Sequence, residues 1–134
     1  MIKYKSGFKY QLHETYVIDL PWLDGYPDYA ADFLKVSGAR LIVEAGYAWD
    51  GASGPTWDSK SSMRASLVHD ALYQLMRVGV LPEASRGYAD DALYTLCVED
   101  GLFKPRAWAW WKAVRLMAGA KAKKGTERPV LEAP

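Results

Sequence analysis

The rhythm of apolar and polar positions changes once along the chain, near Asp50. Before it the rhythm is short. "KYQLHETYVI" alternates loosely and is rich in Tyr, Val and Ile, residues that suit a half-buried pleated surface, so a strand or hairpin arm is predicted there. "LPWLDGYPDYAADF" carries Asp24-Gly25 and two prolines and reads as turn or loop. "ARLIVEAGYAW" is a short β-branched run ending at Gly46, a further strand, and "DGASGPTWDSKSS" is a loop punctuated by glycine and proline.

After Asp50 the period is helical. Residues 61–78 place Leu67, Val68, Ala71, Leu72, Leu75 and Met76 on one face, and Gly79 and Pro82 end that helix. Residues 86–100 place Ala89, Ala92, Leu93 and Leu96 on one face, closed by Gly101. Pro105 suits the first turn of a third helix, whose apolar face is Trp110, Trp111, Val114, Met117 and Ala118. The fold class predicted is α+β: a small N-terminal antiparallel β-sheet followed by a three-helix half. One domain is expected over residues 1–120, with strands mainly in 1–49, a loop at 50–58 and helices in 59–120. Residues 121–134, basic and then proline-containing, read as a flexible tail.

Composition narrows the function. A length of 134 residues allows one domain with a real core. A net charge of +1 gives no global drive toward nucleic acid, and no nucleic-acid partner is expected. The one cysteine, Cys97, excludes an internal disulfide and a Cys-rich metal site. "MIKYKSGFKYQLHE" has no apolar core of a signal peptide, and no run approaches a membrane span, so a soluble protein of the cytoplasm in which it is made is expected. Six Trp and nine Tyr are many for so small a chain, and such side chains suit protein and membrane interfaces.

The candidate chemistry begins at "SLVHDALY", residues 66–73. At about 100° per residue, Ser66, His69, Asp70, Tyr73 and Arg77 fall on the stripe beside the apolar face. That stripe is either a polar flank facing water or half of a site. On the next helix Asp90 lies at the edge of the apolar arc and Asp91 points away from it. A half-buried carboxylate needs a partner. A histidine on an antiparallel neighbour is one, and it would be held in a single tautomer. Arg86 or Tyr94 on the same helix is the alternative. The loop "YAWDGASGPT", with glycines at 46, 51 and 54, can turn carbonyl oxygens inward beside the Asp50 carboxylate. Those are ligands for a hard ion such as Ca²⁺, and Asp70 could supply another carboxylate. The same loop also reads as a plain connection from sheet to helix.

Other chemistries find less support. The chain has no P-loop and no dinucleotide fingerprint. Ser53 lacks the strand-turn-helix nucleophile elbow. His13 reads as a surface residue, and zinc would need more His or Cys.

The order "WDGAS", "HDALY", "SRGYADDALY", "AWAWWKAV" resembles the small secreted phospholipase A2 enzymes of bacteria and fungi. The twenty-one residues from His69 to Asp90 fit the spacing of the bacterial enzymes. The resemblance implies a His69–Asp90 catalytic dyad supported by Tyr73. It also implies Ca²⁺ held by Asp70 and the loop at Asp50 and Gly51, and a phospholipid or membrane surface as partner. Those enzymes carry disulfides, which this chain cannot form, and its N-terminal strands are foreign to them. Over roughly residues 35–119 the chain also resembles a family of short phage and prophage proteins of unknown function. Their hallmarks read here as "GYAWDGASGP", "HDALY" and "RGYAD". That second resemblance implies a phage gene product made in the host cytoplasm. Such a protein is either a hydrolase of phage entry or lysis, or a non-catalytic virion or assembly protein docking on a tail or capsid protein through its aromatic surface.

Overall fold

A computed structural model of the chain describes residues 3–4, 10–49, 60–117 and 131–132. Antiparallel strands fill the N-terminal half and three helices follow, so the protein is α+β. The chain divides into two compact units, Met1–Trp49 with Arg128–Pro134, and Asp50–Glu127. The division falls where the hydrophobic rhythm changes.

In the first unit, β1 (Lys3–Tyr4) and β2 (Tyr10–Gln11) precede β3 (Tyr16–Asp19). They are followed by β4 (Tyr29–Ala31), β5 (Leu34–Ser37), β6 (Arg40–Val43) and β7 (Ala48–Trp49). The main sheet has the order β3-β6-β5-β4, all antiparallel. Its register opposes Leu34 to Val43 and Val36 to Leu41. Because side chains alternate faces, these four share one face, and all four are buried. Lys35, Ser37 and Arg40 fall on the other face. The stretch read as loop therefore holds a 3₁₀ turn at Pro21–Leu23 and the strand β4, which pairs with β5. The sheet supplies partners that a local reading of Pro and Gly does not see. β2 pairs with β7. β8 (Leu131–Glu132) pairs with β1, a pairing that the composition of the chain's last residues does not announce.

The second unit is built on α1 (Lys60–Arg77), α2 (Arg86–Glu99) and α3 (Lys104–Met117). Gly79 and Gly101 follow the first two helices at φ 84° and 95°. That left-handed conformation costs glycine little and ends a helix cleanly. Short connections make consecutive helices antiparallel neighbours. Arg64, near the start of α1, donates to Asp100 just beyond α2 from Nε (3.0 Å) and Nη2 (2.8 Å), and from Nη2 to Glu99 (3.1 Å). Its charge also meets the negative end of the α2 dipole. The core is Leu67, Val68, Ala71, Leu72, Leu75 and Met76 from α1, Ala89, Leu93, Leu96 and Cys97 from α2, and Ala107, Trp110 and Val114 from α3. Among the described residues no helix is long and apolar enough to cross a membrane.

Candidate active site

Three of the five residues on the stripe beside the apolar face of α1 turn inward, while Asp70 and Arg77 are half-buried. Ser66, His69 and Tyr73 are buried with the core. The buried arc of α1 is wider than its apolar arc, and its polar members must find partners inside. Ser66 Oγ does so locally, donating to the Met63 carbonyl at 2.9 Å. His69 and Tyr73 reach across to α2.

Asp90 is fully buried on α2, whereas Asp91 is exposed and accepts from Trp111 Nε1 at 3.0 Å. The partners of Asp90 lie on three helices. Its Oδ1 sits 2.7 Å from His69 Nε2 and accepts from the Tyr73 hydroxyl at 2.6 Å. Its Oδ2 accepts from Arg115 Nη1 at 2.9 Å, with Arg86 Nη2 at 3.7 Å. Arg86 donates to the Tyr73 oxygen from Nε (3.1 Å), and from Nη2 to the carbonyls of Val114 (2.9 Å) and Arg115 (3.0 Å). The alternative in which Asp90 is satisfied from its own helix holds only for the long Arg86 contact. The short contacts come from α1 and α3.

These contacts determine charge. Burial opposes ionisation of Asp90, but hydrogen bonds from His69, Tyr73 and Arg115 outweigh it and hold the carboxyl below its usual range. Burial, then the bond to Asp90, pushes the Tyr73 hydroxyl well above its usual range, so Tyr73 remains a donor. Burial disfavours the His69 imidazolium, yet the carboxylates of Asp70 and Asp90 reverse that and raise its pKa above 6.5. A neutral His69 beside ionised Asp90 must carry its proton on Nε2. The lone pair is then on Nδ1, and that nitrogen is the basic one.

Asp70 is where adjacent positions behave less simply than a helical wheel implies. Neighbouring residues on a helix do not face each other, yet Asp70 Oδ1 lies 3.9 Å from His69 Nδ1. Asp70 is about one-third exposed and stands on the basic side of the ring. A carboxylate there is a hard oxygen donor at a partly open position, the kind of group that could contribute to holding a hard cation. Asp50 and Gly51, the other expected ligands, lie outside the described residues. Among the described residues no three His, Cys, Asp or Glu side chains cluster as a metal cage. Cys97 is fully buried and its thiol is pushed up to about 12, by burial and then by Asp100, so it is no nucleophile at neutral pH.

Residues 29–114 match the family model described as protein of unknown function (DUF1353). The chain belongs to the DUF1353 family. The matched span runs from β4 almost to the end of α3 and includes His69, Asp70, Tyr73, Arg86 and Asp90. No curated protein and no solved structure matches the chain. For this DUF1353 protein, then, the chemistry of the site is the guide to function. Arg115, which sequence reasoning did not single out, falls one residue beyond the matched span. The available signal was its helical position, four residues after Trp111, on the edge of α3 that meets α2.

Proposed function

We propose that this DUF1353 protein hydrolyses an acyl ester of a phospholipid, with His69 as general base. One observation carries the reading. His69 Nε2 is 2.7 Å from a buried, ionised Asp90, which leaves Nδ1 basic and beside the partly exposed Asp70. Nδ1 takes a proton from water as the water oxygen attacks the ester carbonyl carbon. Asp90 stabilises the imidazolium so formed and fixes the plane of the ring. The same proton then passes to the departing alkoxide as the C–O bond breaks. The products are a free fatty acid and a lysophospholipid. Tyr73 and Arg115 keep Asp90 ionised and in place. Calcium, held by Asp70 with Asp50 and Gly51, would supply positive charge for the lipid phosphate and for the developing oxyanion.

The test is release of fatty acid from phospholipid by the purified chain and by His69→Ala. We expect activity in the first and its loss in the second, with both folded by circular dichroism. Equal rates would overturn the reading.

The exposed aromatic side chains Tyr88, Phe103 and Trp108 favour a second reading. In it the protein is a phage virion or assembly component that docks on a tail or capsid protein. That reading expects a stable complex with such a partner and assembly indifferent to His69→Ala.

A further inference from the structure

The helix that holds Asp90 in place carries a second, outward specialisation. Ala107, Trp110 and Val114 turn the inner face of α3 into the core. Half a turn away, Lys104, Trp108, Lys112 and Leu116 follow one another at four-residue spacing, and all four are exposed. Trp108 is 51% and Leu116 74% exposed, and Phe103, just before the helix, is 68% exposed. Large apolar side chains so open to water need a reason when three gather at one helix. The charges point the same way. Within Lys104–Met117 the ionisable side chains are Lys104, Arg106, Lys112 and Arg115, with no acid among them. Lys112 Nζ rides over the Trp108 ring at 5.0 Å from its centroid.

We infer that this outer face of α3 docks the protein on an anionic phospholipid surface. An indole at the boundary of headgroup and acyl chain keeps its apolar body in lipid and its N–H in water. Lysines flanking it lay their stems along the same boundary and place their ammonium groups among lipid phosphates. A second copy of the chain is a poor occupant, since a two-fold pairing of this face sets Lys against Lys. The apolar trio of Phe103, Trp108 and Leu116 likewise favours lipid over a phosphodiester backbone. The inference rests on the ester-hydrolase reading for what the docking serves, because it brings His69 to aggregated lipid.

Docking is read without turnover. The full chain is sedimented with large vesicles of phosphatidylglycerol and phosphatidylcholine, and with vesicles of phosphatidylcholine alone. Binding is expected to the anionic vesicles, to weaken as salt rises, and to be slight for the zwitterionic ones. Lys104→Glu with Lys112→Glu should weaken it about tenfold or more, as should Trp108→Ala with Leu116→Ala, with melting temperatures close to wild type. Unaltered binding by both variants, no binding by wild type at low salt, or tighter binding to an acidic protein or to DNA would overturn the inference. Hydrolysis of a monomeric short-chain phospholipid separates the two readings. Lost vesicle binding with that activity intact leaves the catalytic reading standing, and vesicle binding without hydrolysis of either substrate removes the catalytic reading alone.

Discussion

Arg115 Nη1 stands 2.9 Å from Asp90 Oδ2, while His69 and Tyr73 share Oδ1. The guanidinium and the imidazole therefore compete for one carboxylate. Replacing Arg115 by Met keeps the apolar stem and removes the charge that opposes an imidazolium nearby. The His69 pKa should rise in Arg115→Met, read from the imidazole resonances in a pH titration. A purely structural role for Arg115 predicts lower stability with no such rise. Stability itself should fall by about 1–3 kcal/mol for loss of a charged hydrogen bond to a buried acceptor. The partial exposure of Arg115 keeps the loss toward the lower end.

The raised His69 pKa fixes the direction of the pH profile. A base must be unprotonated, so the rate should climb with pH through a midpoint above 6.5. Asp90→Asn removes one of the two carboxylates that raise the pKa, and the midpoint should move down as the rate drops. For stability, the signs of the two groups are opposite. The His69 contribution is fully present below 6.5 and is lost as pH rises through its folded-state value. The Asp90 contribution is present above 3.8 and is lost as pH falls through its own lowered value. Denaturant midpoints across that range would show both slopes.

Tyr73→Phe keeps the ring, which lies 4.3 Å from the His69 ring, and deletes only the hydroxyl. Asp90 loses a donor and Arg86 loses an acceptor. The expected cost is about 1–3 kcal/mol of stability, seen as a lower denaturant midpoint with unchanged slope. The rate should fall less than in His69→Ala, because the dyad remains.

The fold and the site were unequally legible. Asp90 was separated from Asp91 by periodicity alone, and the structure buries the first and exposes the second. The helix ends at Gly79 and Gly101 were equally plain, because glycine is the residue that adopts a left-handed φ at little cost. The burial of Ser66, His69 and Tyr73 was not resolved, since a helix wheel ranks faces by hydropathy and α1 is covered beyond its apolar arc. β4 was hidden by Asp24-Gly25 and Pro27, whose local signals precede a strand that exists through its pairing with β5. Arg115 was hidden because a basic residue on a helix looks solvated until the neighbouring helix is in place.

Calcium has a separate test. A ligand that binds only the folded chain raises the melting temperature by mass action, by about 2.7 kcal/mol of stability at a hundred times its dissociation constant. A rise with millimolar Ca²⁺ that Asp70→Asn abolishes is expected. Absence of a rise in the wild type would remove the ion from the mechanism while leaving the His69–Asp90 pair as it is.

The Arg86 side chain ties the end of one helix to the chemistry of another. Its Nη2 donates to the Val114 and Arg115 carbonyls in the last turn of α3, while its Nε holds Tyr73. Fraying of that turn and slackening of the buried carboxylate are therefore one event. Amide hydrogens in the final turn of α3 and those around Tyr73 should exchange as a single cooperative unit, and a substitution at Arg86 should split them into two.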